Sequence, residues 1–130
     1  MRKIKKIIIH CSDSTWGSAG VIKKWHLARG WTDCGYHYII LNGQISKRTR
    51  HEWKDGLIEP CRPIETAGAH CRGHNKDSIG ICLIGKKSFS YRQMKSLTFL
   101  VESLKNQFPG SDVFGHNEFS KYKTCPNFKV

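Results

Sequence analysis

Residues 78–85, SIGICLIG, are apolar on both faces of an extended chain, so a strand formed here has to be covered above and below. Residues 4–10 make a second such run, β-branched and rising into IIIH, which reads as another central strand. His10 closes that run. It therefore stands at the carboxyl end of a strand, where α/β folds expose their sites.

The remaining pattern supplies the cover. Ser18 can cap a helix over residues 21–29, with Ile22 and Trp25 facing inward and Gly30 as the stop. Ser90 and Gln93 form a capping box ahead of apolar residues at three- and four-residue spacing, which predicts the main helix over residues 91–107, ended by Pro109-Gly110. A strand over residues 35–41 meets residues 44–47 through Asn42-Gly43, a strong hairpin signal. Residues 48–60 carry Trp53 and an Asp55-Gly56 turn signal and read either as a long loop or as more of the hairpin. A short strand over residues 112–115 delivers His116, and a loop carrying Lys123 and Cys125 follows. The order strand, helix, hairpin, strand, helix, strand predicts an α/β fold of a single domain, a central mixed β-sheet flanked by helices on at least one face.

At 130 residues the chain is long enough for one core. A net charge of +12 favours polyanions, whether nucleic acid, membrane or cell-wall polymer. The lysines are scattered along the chain rather than forming a stripe interleaved with aromatics, so no specific nucleic-acid partner is expected. Apolar runs fall far short of the roughly 20 residues of a membrane span, and the start MRKIKK leads into a strand rather than a signal sequence. Synthesis in the cytoplasm is the expectation, and with it free buried thiols for the six cysteines apart from one ligand.

That ligand belongs to a split set: His10, then His116 and Cys125 in GHNEFSKYKTCP. Two imidazoles and one thiolate leave a tetrahedral Zn²⁺ with an open position, the mark of a catalytic rather than a structural site. Each residue taken alone also has an ordinary reading, His10 as a strand-end core histidine and Cys125 as a buried thiol.

Four stretches in one order, IIIHCSDS, RGWTDCGYHYII, GAHCRGHNKDSIGICLIG and GHNEFSKYKTCPNF, resemble the zinc N-acetylmuramoyl-L-alanine amidases of the type-2 amidase and peptidoglycan-recognition fold, in particular their phage lysozyme branch. The resemblance covers nearly the whole chain. It implies one Zn²⁺ held by His10, His116 and Cys125, with Tyr36 and Lys123 as catalytic residues. It also suggests that His70 and Asn75 line the substrate groove. The implied reaction is hydrolysis of the amide between N-acetylmuramic acid and L-alanine. The chain departs from the family at residues 48–60, an insertion whose Trp53 is a candidate for stacking on sugar, and at Lys129, where the usual ending carries Asp.

The resulting expectation is one amidase domain over residues 1–130, monomeric, made in a host cytoplasm and acting on peptidoglycan in the periplasm once the membrane fails, as a phage or prophage endolysin does. Its charge would draw it to anionic envelope surfaces. A muropeptide-recycling amidase, or a peptidoglycan-binding protein without activity on the same fold, are the competing readings.

Overall fold

The computed structural model describes residues 2–130, folded around a mixed five-stranded sheet. The elements in chain order are β1 (Lys6–Cys11), α1 (Ala19–Ala28), β2 (Tyr38–Gln44), β3 (Arg50–Pro60), β4 (Ser78–Leu83), α2 (Tyr91–Gln107) and β5 (Asp112–Gly115), with a single 3₁₀ turn at His116–Glu118. Strands lie in the order β3-β2-β4-β1-β5; β2 and β3 pair antiparallel, and the other neighbours pair parallel.

The two runs apolar on both faces occupy the interior of the sheet, as their composition requires. Alternate residues serve opposite layers. Ile7, Ile9, Ile40, Ile79, Ile81 and Leu83 meet Leu97, Leu100 and Leu104 of α2. On the other face Ile39, Leu41, Cys82 and Ile84 pack with Ile22 of α1. Both sheet faces are thus covered, and α2 covers the sheet through the three- and four-residue stripe from Met94 to Phe108, with Leu100 added and Tyr91 left exposed.

Both helices begin where their caps are written. Ser18 accepts the Val21 amide at 3.2 Å. Ser90 accepts the Gln93 amide at 3.0 Å while the Gln93 side chain accepts the Ser90 amide at 2.9 Å. Gln93 is also fully buried and donates to the carbonyls of Ile84 (2.8 Å) and Ile40 (3.2 Å), so one side chain both caps α2 and ties it to β2 and to the end of β4.

Two turn expectations are corrected. Asn42-Gly43 lies inside β2, and the chain reverses instead around Ser46, whose hydroxyl accepts the Thr49 amide at 3.2 Å. Gly43 (φ +89°) and Gly56 (φ +86°) have the left-handed backbone that the turn signals implied, but the pairing of β2 with β3 is irregular there and the residues act in bulges. Residues 50–60 are accordingly strand, the hairpin alternative. At Gly56 α2 passes so close that a Cβ would stand 2.9 Å from the Arg92 carbonyl oxygen.

The expectation of free thiols is also corrected, because Cys34 and Cys61 form a disulfide. Pairing continues past the ends of the hairpin strands, Cys61 to His37 and Arg62 to Tyr36, and this brings the two cysteines face to face although they lie 27 residues apart. Cys11, Cys71 and Cys82 are free and buried, and Cys125 is free.

Two buried histidines stitch the segment ahead of β2. His26 Nδ1 accepts the Gly35 amide at 2.8 Å, and His37 Nδ1 accepts the Gly80 amide at 3.0 Å while its Nε2 donates to Thr66 O at 2.8 Å. Burial pushes both imidazoles down to about 4, against an ordinary value near 6.5.

Two outcomes are expected. Gln93→Leu leaves the Ile84 carbonyl and the Ser90 amide without their partner and should destabilise the fold by about 1–3 kcal/mol, read as a lower denaturation midpoint in urea. The neutral histidines bind fewer protons folded than unfolded, so their contribution is complete above about pH 6.5 and is lost as pH falls toward 4. The melting temperature should drop across that window, and less steeply in His26→Asn, which keeps an acceptor for Gly35; equal slopes would refute the assignment.

Candidate metal centre and cleft

The site is built where parallel strands end. In β1 the register sets Ile9 opposite Gly115 of β5 and His10 opposite Cys82 of β4. The chain leaves β5 directly into His116, so the pairing that completes the sheet also sets the two imidazoles side by side. Their Nδ1 atoms are 3.1 Å apart. The following loop folds back, with the Asn117 amide donating to Cys125 O at 3.0 Å, and this carries Cys125 Sγ to 3.5 Å from His116 Nδ1.

Among the described residues this is the one group of three or more His, Cys, Asp or Glu side chains with metal-holding geometry, its ligand atoms all within 4.8 Å of one another. Ligands at about 2.0–2.1 Å for imidazole and about 2.3 Å for thiolate, set at tetrahedral angles, stand about 3.3 Å and 3.6 Å apart. The observed 3.1 Å and 3.5 Å fit that set. His10 is buried, which favours its neutral form, the form that ligates a metal. Hydrogen bonds from Cys11 and from the imidazoles of His10 and His116 hold the Cys125 thiol well below its usual range. The thiol of Cys11 is raised in turn, first by that hydrogen bond and then by burial.

The other expected residues surround this cluster unequally. The Tyr36 ring lies 5.1 Å from that of His10, and burial raises its phenol well above the ordinary value, which keeps the hydroxyl a donor. Lys123 stands at the wall of a cleft of about 640 Å³ that it shares with Trp31, His70, Arg72, Asn75, His116 and Phe119. His70 forms part of the floor; its Nδ1 is 2.8 Å from His10 Nε2. Asn75 Oδ1 accepts the amides of His70 and Cys71, both at 2.9 Å, and so shapes the loop that carries His70. Trp53 is 70 % exposed on β3, outside the residues that line the cleft.

Trp31, Arg72 and Phe119 line the cleft without having been singled out in the sequence. Trp31 and Arg72 sit inside the stretches RGWTDCGYHYII and GAHCRGHN, so their location was available as a signal. Phe119 has only its place between two ligands. The cleft offers the aromatic surfaces of Trp31 and Phe119, the cations Arg72 and Lys123 and, through His116, an edge of the His10–His116–Cys125 cluster, an arrangement suited to an extended, carboxylate-bearing substrate.

The sequence profile of one protein family, described as N-acetylmuramoyl-L-alanine amidase, matches residues 1–128. The endolysin of Klebsiella phage KP32 is 32% identical over 140 residues, spanning 99% of this chain and 84% of its own. That of Escherichia phage T7 is 34% identical over 136 residues, spanning 95% and 81%. Among solved structures, the N-acetylmuramoyl-L-alanine amidase LysC from Clostridium intestinale superposes with a TM-score of 0.83 at 25% identity, over 99% of this chain and 80% of that one. A PGRP-SA from Apis mellifera gives 0.81 at 25%, over 100% and 80%.

Proposed function

The chain belongs to the N-acetylmuramoyl-L-alanine amidase family and is an endolysin-type amidase, and from that premise we propose how its own residues do the work. His10, His116 and Cys125 hold one Zn²⁺, Tyr36 and Lys123 assist, and the cleft above them takes peptidoglycan. The observation that carries this reading is the grouping of His10 Nδ1, His116 Nδ1 and Cys125 Sγ, with both separations from His116 Nδ1 near those of tetrahedral ligands, beside an open cleft that His116 lines.

When bound, zinc supplies Lewis acidity toward the scissile carbonyl and acidifies a water that would otherwise be a poor nucleophile at neutral pH. Two neutral imidazoles and a thiolate leave the centre with net positive charge. Lys123, exposed at the cleft wall, supplies an ammonium to the negative charge that develops on the carbonyl oxygen. Such donors contribute about 2.7–4 kcal/mol in other enzymes. Tyr36, kept protonated by burial beside His10, donates a hydrogen bond to the same oxygen or orients the attacking water. Trp31 and Phe119 give apolar surface for the substrate, and Arg72 offers a guanidinium to its carboxylates. His70 and Asn75 shape the same groove.

Residues 1–130 form one catalytic domain in this reading, with 48–60 an added edge hairpin arm whose exposed Trp53 is available to sugar beyond the cleft. The site needs no second copy, since one chain supplies all three ligands, and the protein is read as a monomer on that ground. It is made in the host cytoplasm and works on the wall in the periplasm after the membrane is breached. The Cys34–Cys61 disulfide suits that oxidising destination. The presence of Cys125 argues against a binding protein without activity.

Incubated with purified sacculi, the zinc-loaded protein should release stem peptides with free L-Ala N-termini. Cys125→Ser should lose bound zinc and activity together, and Lys123→Ala should lower kcat about 10²–10³-fold with the metal retained. Full activity in Cys125→Ser would sink the metal assignment. The net charge of +12 predicts that sacculus turnover falls as ionic strength rises, and a flat salt profile would remove the electrostatic part.

A further inference from the structure

We propose that His70 is a positioning residue for the metal centre, holding His10 in the orientation and tautomer that aim its Nδ1 at the ion. The inference rests on the zinc assignment of His10, His116 and Cys125 made above.

The two ring nitrogens of His10 face different partners. Nδ1 faces His116 Nδ1 at 3.1 Å, and Nε2 faces His70 Nδ1 at 2.8 Å in a buried contact. An imidazole that ligates through Nδ1 carries its proton on Nε2. That proton then has one acceptor, His70 Nδ1. His70 must in turn carry its own proton on Nε2, where Ser78 Oγ stands at 3.1 Å. A chain from Ser78 through His70 to His10 therefore defines the tautomer of every ring in it. Metal-ligating histidines characteristically make such a bond from the nitrogen that does not touch the metal. Here the acceptor is a second imidazole, which adds no negative charge to the centre.

Packing gives an independent line of support. The His70 ring stands at 90° to that of His10, edge on. It is seated against β4 at Gly80, where a Cβ would come within 2.5 Å of the imidazole, and beside Gly68, where one would come within 2.7 Å. The loop is held by Asn75 Oδ1 on the His70 amide at 2.9 Å. Only 7 % of His70 is exposed, so the ring is pinned beneath the cleft rather than free within it. Absence of a side chain at Gly80, on the face of the sheet that His10 shares, is what opens the seat.

Two substitutions separate this role from a merely structural one. Asn at position 70 carries an acceptor oxygen near the Nδ1 position and keeps the bond to His10. Gln carries its polar end near the Nε2 position, keeping Ser78 but not His10. Zinc affinity is read by chelator competition, the cobalt-substituted protein gives a visible spectrum that reports ligand geometry, and thermal melts check folding. His70→Gln should bind zinc about 10–100-fold more weakly and shift the cobalt spectrum. His70→Asn should stay near the wild type in both. Wild-type affinity in His70→Gln, or equal losses in the two variants, overturns the proposal while leaving the zinc assignment intact. A wild-type protein that binds no zinc overturns that assignment and this inference together.

Discussion

The parallel pairing of β1 with β5 is the constraint on which the site depends. It sets Ile9 opposite Gly115. One residue further on, each chain presents a histidine at the same edge of the sheet, and their Nδ1 atoms meet at 3.1 Å. Parallel strands require a crossover, and here the crossover contains nearly the whole domain, since β1 lies near the start of the chain and β5 near its end. The pairing that closes the core is therefore also what brings His10 beside His116. A register slip of one residue would turn His10 to the other face of the sheet and abolish the cluster along with the core.

The layer on the α1 side of the sheet differs in kind from the α2 side. Toward α2 the packing is aliphatic, isoleucine and leucine from both partners. Toward α1 the sheet carries His10, Ser78 and the bare backbone of Gly80, and imidazoles fill the space that side chains leave. Buried polar groups are tolerable only when partnered. His26 and His37 meet that condition through backbone amides and a carbonyl, and His70 through the His10 ring and the Ser78 hydroxyl. These three histidines are thus part of the structure, and His70 is the one of them that touches His10 directly.

The β2–β3 hairpin shows where local signals mislead. Asn42-Gly43 and Asp55-Gly56 have turn chemistry, and both glycines take the positive φ that the chemistry permits, yet the chain continues as strand through each. Positive φ serves a bulge as well as a turn, and the longer ladder between the strands, together with the close pass of α2 over Gly56, decides in favour of the bulge. The disulfide has the same origin. Compartment reasoning pointed to free thiols, while the extension of pairing to Arg62 brought Cys34 and Cys61 together.

Local order was legible in the sequence because its causes are local: Ser18 and Ser90 as caps, the three- and four-residue spacing through α2, and the both-faced apolar runs of β1 and β4; His10, His116 and Cys125 were legible as residue types able to ligate a metal. Contact between distant segments was decided only by the tertiary structure, through sheet register and the space left by missing side chains. That is why the seating of His70 against Gly80 beneath His10 and the position of Trp53 outside the cleft were not readable from residue types. Spacing along a chain specifies which groups exist and what chemistry they can do; which of them touch is set by the pairing of strands far apart in sequence.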